Sequence, residues 1–309
     1  MNTVAQPAER YRELIEQAGA GLPGRQLDWL ETQRGRAAAR FDQLGFPTRK
    51  DEAWRYTSLD GLLGQTFVPV SEPFTALDEA DLGDYLVPQQ ESYRLVIANG
   101  RLVPALSRLN GLPPGVRVQS LHDALAAMPE WLSGWLGRAA GEGAHAFSAL
   151  NSALVNDGLF VHVAAGCTVD KPIEVLFLST ALDDSILAQP RNLVVLEAGA
   201  SATLVERYAS TGDSVYFNNA LVEVLLEDGA RLQHYRVQEE SINAYHISGL
   251  YVRLAGGSDY AGTCLALGGV AQSVLQSGSG REVERDTAVA IIAHLPAWTW
   301  RRSHPAARR

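Results

Sequence analysis

The stretch NLVVLEAGASATLVERY, residues 192–208, is followed after a short gap by ALVEVLLEDGARLQHYRV, residues 220–237. Each is a run of Leu and Val, a turn holding a glycine, and a second run of alternating side chains, which reads as strand, tight corner, strand. The same plan stands upstream in GLFVHVAAGCTV, residues 158–169, and downstream in GLYVRLAGGSDYAGTCLAL, residues 249–267. The corner glycines are Gly166, Gly199, Gly229 and Gly257, at separations of 33, 30 and 28 residues. Such a period suggests stacked units, none of which can bury its apolar face alone. Alternation sets Val222, Val224 and Leu226 on one face and Glu223 and Glu227 on the other, outer face. A β-sandwich also gives short strands at regular intervals, so periodicity favours the solenoid without deciding it.

Before Asn156 the texture is mixed. Apolar positions at helical spacing predict two helices between Pro7 and Phe41, separated by a turn over Gly19–Gly24. FPTRKDEAWRYTSLDGLL, residues 46–63, reads as an amphipathic turn anchored by Trp54 and Tyr56. RLVIANGRLV predicts a hairpin turning at Asn99-Gly100, a pair that tolerates positive φ. Leu121–Ala140 and Phe147–Val155 are helix-like. The organisation expected is an α-rich region over 1–155, a β-helical core over 156–269 and an atypical tail over 270–309.

The chain has 309 residues, 46% of them hydrophobic and a formal charge of −9, enough to bury a large core and unsuited to general nucleic-acid binding. No apolar run is long enough for a membrane helix, and the charged start is unlike a secretory signal, so a cytoplasmic protein is expected. Cys167 and Cys264 are the two cysteines, too few for a Cys-rich metal site, and read as small buried hydrophobes. There is no G-x-x-x-x-G-K-[ST] loop, H-E-x-x-H, C-x-x-C or G-x-S-x-G motif. Gly278 and Gly280 in QSGSGR read as a flexible turn. His162 and His234 read as hydrogen-bonded structural residues, and His246, placed between repeats, has nothing near it in sequence to complete a triad. Glu197, Glu227 and Asp228 precede turn glycines, where carboxylates satisfy amides or face solvent. No catalytic residue and no metal ligand is assigned, and cofactor-binding residues stay unknown. The pattern points to an assembly component rather than an enzyme; the alternatives are a β-helix carbohydrate-active enzyme, which needs charged side chains along an outer groove, and an unrelated β-repeat binding module.

RKDEAWRYTSL, residues 49–59, resembles the R-x-E-x-W-[KR]-Y-T string of the SufB/SufD family, and the β region resembles its SufD branch in LNSALVNDGLFVHVAAGCTVDKPIEVLFLS from Leu150, PRNLVVLEAGASATLVERY from Pro190 and HISGLYVRLAGGSDYAGTCLALGG from His246. The resemblance spans roughly Pro7 to Gly269. It implies a right-handed parallel β-helix behind a helical front. It also implies a non-enzymatic subunit that works with the paralogue SufB and the ATPase SufC, with a nascent iron–sulfur cluster at the assembled complex and no cofactor on this chain alone. After Gly269 the family's further coils and its SufC-docking helical region are not matched, so a truncation or a change of reading frame is expected there; the structural alternative is that Ala288–Leu295 caps the shortened stack as a strand or helix. His294 and His304 fall in no matching motif and inherit no role.

Overall fold

The computed structural model describes residues 5–70, 77–86, 91–141, 145–180, 184–268 and 270–279. Two helices open the chain as their periodicity predicts, α1 (Ala5–Gly19) and α2 (Asp28–Leu44), the second closed by Gly45 at φ 59°, whose N–H returns to the Phe41 carbonyl. A 3₁₀ turn (Glu52–Trp54), the short α3 (Asp60–Gly64) and β1 (Val68–Pro69) follow. After a 3₁₀ segment (Ala80–Tyr85), β2 (Tyr93–Ala98) and β3 (Arg101–Leu102) form the expected hairpin, with Asn99 at φ 49° and Gly100 at 80°. Next come a 3₁₀ turn (Pro104–Leu106), β4 (Val116–Ser120), α4 (Leu121–Ala127), α5 (Pro129–Ser133) and α6 (Ala146–Ala153). The continuous helix expected over Leu121–Ala140 is broken at Met128, because Pro129 donates no N–H and drives the residue before it out of helical geometry.

The rest is a parallel β-helix. Its strands are β5 (Leu159–Val163), β6 (Ile173–Ser179), β7 (Ile186–Ala188), β8 (Arg191–Leu196), β9 (Ser201–Ser210), β10 (Phe217–Leu226), β11 (Arg231–Glu239), β12 (Tyr245–Leu254), β13 (Asp259–Ala266) and β14 (Val270–Ser279). β5, β8, β10, β12 and β14 stack in parallel as one sheet, while β2, β6, β9, β11 and β13 stack as the other. β7 and β8 pair with one long partner, β10, and the gap between them falls at Pro190, which cannot donate to a ladder. The four corner glycines have φ of 71, 69, 67 and 67°, a left-handed backbone that L side chains adopt only with strain. The sandwich is thereby excluded, since consecutive strands return to parallel register one coil on. β14 carries the stack past Gly269 to Ser279, so Gly278 lies in a strand and not in a turn. Gly280, Ala288–Leu295, His294 and His304 lie outside the described residues.

The N-terminal region is fused to this stack. β2 is a parallel neighbour of β6, and β4 runs antiparallel to β5. The outer face of the β10 sheet is roofed by helices, so "outside" there does not mean solvent. Glu223, expected on the outer face, is fully buried, pairs with Arg191 at 2.5 Å and accepts from the backbone N–H groups of Gly137, Ala139 and Ala140, each at 2.9 Å. Three amides and a guanidinium compensate that carboxylate, which is the condition for tolerating a buried charge. Trp54 is also interior, 3% exposed, its ring 5.2 Å from that of Phe147 on α6. Tyr56 does not anchor the turn: it is 92% exposed, with Arg55 beside its ring.

Candidate functional site: a charged interior in the later coils

Register determines what meets inside the solenoid. One inward column of the β11 sheet runs Val175, Glu206, Arg236, Cys264; a second runs Ile173, Leu204, His234, Gly262; a third runs Phe177, Tyr208, Gln238, Ala266. Each column is apolar at β6 and polar by β11. From the opposite sheet, Asn192, Asn218 and His246 face the same interior, and the loop after β11 adds Glu240.

These side chains form one connected network. Arg236 Nη2 donates to His246 Nε2 at 2.5 Å, and His246 Nδ1 lies 2.6 Å from Glu240 Oε2. A guanidinium cannot accept, so the His246 lone pair is on Nε2 and its proton on Nδ1 faces Glu240. Glu240 Oε1 accepts from Asn218 Nδ2 at 2.6 Å and from the Tyr216 hydroxyl at 3.1 Å. On the other flank, Glu206 Oε1 accepts from Asn192 Nδ2 at 2.9 Å, and its Oε2 lies 3.3 Å from His234 Nε2. His234 Nδ1 is 2.9 Å from the Tyr260 hydroxyl. Tyr208 joins the two flanks: the Arg236 guanidinium sits 5.0 Å above its ring, His246 meets it edge-on, and Phe177 stacks on it at 4.6 Å.

Glu206, His246, Tyr208 and the Glu240 side chain have no exposure, and Arg236 has 6%. Burial acts to raise both carboxyls, but the charges and hydrogen bonds facing them prevail: His234, Arg236 and Asn192 hold Glu206 below its ordinary value, and His246, Asn218 and Tyr216 do the same for Glu240. Burial pushes His246 down, toward the neutral form that its bond from Arg236 requires. Tyr208 is driven well up, first by burial and then by Glu206. The network therefore gathers two carboxyls, a guanidinium and two imidazoles away from water, and nothing in it opens to solvent as an outer catalytic groove would.

The histidines that the sequence singled out part company. His162 stays at the periphery, its Nε2 2.8 Å from Glu197 Oε1 and its ring 4.7 Å from that of Trp131. Glu197 also accepts from the Ala165 N–H, and Asp228 accepts from the Gly256 N–H, so both satisfy turn amides as expected. His234 and His246 are brought into one interior, His246 against Arg236 and Tyr208 and His234 against Glu206. Glu240 and Arg236 face the two nitrogens of His246, and neither supplies a nucleophile. The missed signal was register. Leu232, His234, Arg236 and Gln238 share a face by alternation, and the 30-residue separation places Glu206 beside Arg236. Cys167 and Cys264 are half-buried and free. Among the described residues, no group of three or more His, Cys, Asp or Glu side chains is placed to hold a metal ion, and no helix is long and apolar enough to cross a membrane.

A parallel β-helix entered through a helical layer and charged within its later coils defines a solenoid protein. Two family models cover it: the SufBD protein N-terminal region matches residues 5–175, and the SufBD core domain of SUF-system FeS cluster assembly matches residues 177–282. The chain belongs to the SufBD family of iron–sulfur cluster assembly proteins. The core match runs to residue 282, so family character extends beyond Gly269. An iron–sulfur cluster assembly SufBD family protein of Synechocystis sp. is 32% identical over 237 residues, 74% of this chain and 52% of the relative. The iron–sulfur cluster assembly protein SufD of Escherichia coli is 28% identical over 67% of this chain and 45% of its own length, and the chloroplastic protein ABCI7 of Arabidopsis thaliana is 25% identical over 83% and 54%. The chain spans about half the length of these curated relatives.

Proposed function

We propose that the chain is a non-catalytic, cytoplasmic scaffold subunit of iron–sulfur cluster assembly. It acts with a SufB-type paralogue and a SufC-type ATPase, and the nascent cluster resides at the assembled complex rather than on this chain alone. The observation that carries the reading is the consecutive match of both SufBD regions along one chain, the N-terminal region over residues 5–175 and the core domain over 177–282. The burial of the charged network supports it, because a carbohydrate-active β-helix needs its acidic side chains along an open groove, and here Glu206 and Glu240 point inward.

The test is co-purification with SufB and SufC of this chain and, in parallel, of a version extended by the C-terminal part of a full-length SufD. Association of at least the extended version, with a cluster that reconstitutes on the complex and not on the isolated chain, is the expected result. If neither version associates although both are folded, the scaffold reading is wrong.

A further inference from the structure

Between α1, β1 and the β3 arm of the hairpin lies a cleft of about 520 Å³. It shares Ala18, Leu22, Pro69 and Asn156 with a smaller recess that reaches the Asn99-Gly100 turn and Gln189. Its volume is that of a small-molecule site, and its walls have the usual make-up of such sites, apolar surface with a few polar groups.

Two arginines supply the positive charge of the cleft. Arg10 donates to Thr66 Oγ1 at 3.2 Å and to the Leu63 carbonyl at 2.6 Å, while Arg101 donates to Asn156 Oδ1 at 3.0 Å. Much of the donor capacity of the two guanidiniums is therefore unused, and the Nε of each is buried without an acceptor. In the recess, Gln189 Nε2 is likewise buried and unpartnered, its Oε1 being taken by Asn219. Among the described residues, neither arginine is within ion-pair distance of a carboxylate. One carboxyl lines the cleft and one the recess: Glu13 is exposed at the cleft's rim, and Asp157, in the recess, accepts from the N–H groups of His122 and Gly158, with burial pushing it up toward its uncharged form. Donors in excess of acceptors, over an apolar floor, call for a ligand rich in acceptors at one end.

We propose that this cleft binds a small anion with an apolar body, a phosphorylated or carboxylated molecule whose charged end is held by Arg10 and Arg101 and whose body lies against Leu14, Leu22 and Phe67. Bidentate guanidinium recognition suits both phosphate and carboxylate, and burial of the apolar body supplies the remaining affinity. Such a ligand joins the first helix to the hairpin that enters the stack, and so ties the helical front to the β-helix.

The test is isothermal titration of the full chain with phenyl phosphate and with benzoate, beside inorganic phosphate as the anion without a body. One of the two aromatic anions saturates a single site and binds at least about tenfold more tightly than inorganic phosphate, and the better of the two names the head group. Arg101→Gln and Arg10→Gln each weaken that binding by about tenfold or more, and Glu13→Gln leaves it equal or tighter. Thermal melts establish that the variants are folded, and Arg101→Lys, which keeps the charge but loses the fork, falls between wild type and Arg101→Gln. Absence of saturable binding by either aromatic anion, or binding indifferent to both arginine substitutions in folded protein, overturns the proposal.

Discussion

The two ends of the solenoid interior are built on opposite principles. Around β5 and β6 it is filled by Leu159, Val161, Ile173, Val175 and Phe177, all 5% exposed or less, and each contributes through the water it excludes. Around β9, β11 and β12 the same inward positions carry Glu206, His234, Arg236 and His246. The backbone ladder is alike in both places, so the fold does not demand a dry core; it demands that whatever faces inward be satisfied by its neighbours in the coils above and below. Apolar rungs meet that condition one by one. Charged rungs meet it only as a set.

That difference is sharpest for Arg236. Its replacement by Ala leaves His246 Nε2 without its donor and removes the cation that helps hold Glu206 low, and should cost about 3–5 kcal/mol, the penalty for leaving a buried carboxylate uncompensated. Chemical unfolding of the variant measures it, and a loss below about 1 kcal/mol would mean that the later interior is wetter and more forgiving than its geometry. The apolar end provides the control, since Ile173→Val removes one methyl and should cost about 0.5–1.5 kcal/mol irrespective of pH.

Acid separates the ends next. The folded-state value of His246 lies below its ordinary 6.5, so the unfolded chain binds the proton more readily and stability falls as pH drops below about 6.5. Glu206 and Glu240, also held low, add to the loss as pH falls below about 4.5. The unfolding midpoint should therefore decline between about pH 7.5 and 5.5, and His246→Gln, whose amide can still accept from Arg236 and donate to Glu240, should flatten that decline. An unchanged slope in the variant would assign the acid response elsewhere. The smallest effect is expected outside the stack: Tyr56→Ala should shift stability by no more than about 0.5 kcal/mol, because the side chain is 92% exposed. A larger shift would show that Tyr56 is covered in solution.

The architecture was legible because a corner with φ near 70° has few ways to be written, and Gly166, Gly199, Gly229 and Gly257 mark it four times. The hairpin at Asn99-Gly100 was legible for the same reason. The interior network was not. His234 and Arg236 are separated by an outward-facing Tyr235 and flanked by Gln233 and Gln238, so their strand carries polar side chains on both faces and shows no apolar stripe. Only the register between coils distinguishes a charge that meets solvent from one that meets Glu206. Tyr56 erred in the other direction: an aromatic beside a buried Trp54 resembles an anchor in sequence, and nothing local says that the chain turns it outward.

The two corners of each coil also divide a task. Between Leu196 and Ser201, Leu226 and Arg231, and Leu254 and Asp259, the same four-residue link recurs, whereas the strand-to-strand register shortens from 30 residues to 28. The change in coil length is thus absorbed wholly at the opposite corner, in the strand ends and loops about residues 210–217 and 239–245. Insertions or deletions there can accumulate over evolutionary time without inverting the phase of either flanking strand, provided that Tyr216 and Glu240, which that corner lends to the interior, keep their places, while one residue gained at a glycine corner inverts the phase of the strand that follows and turns its charges out.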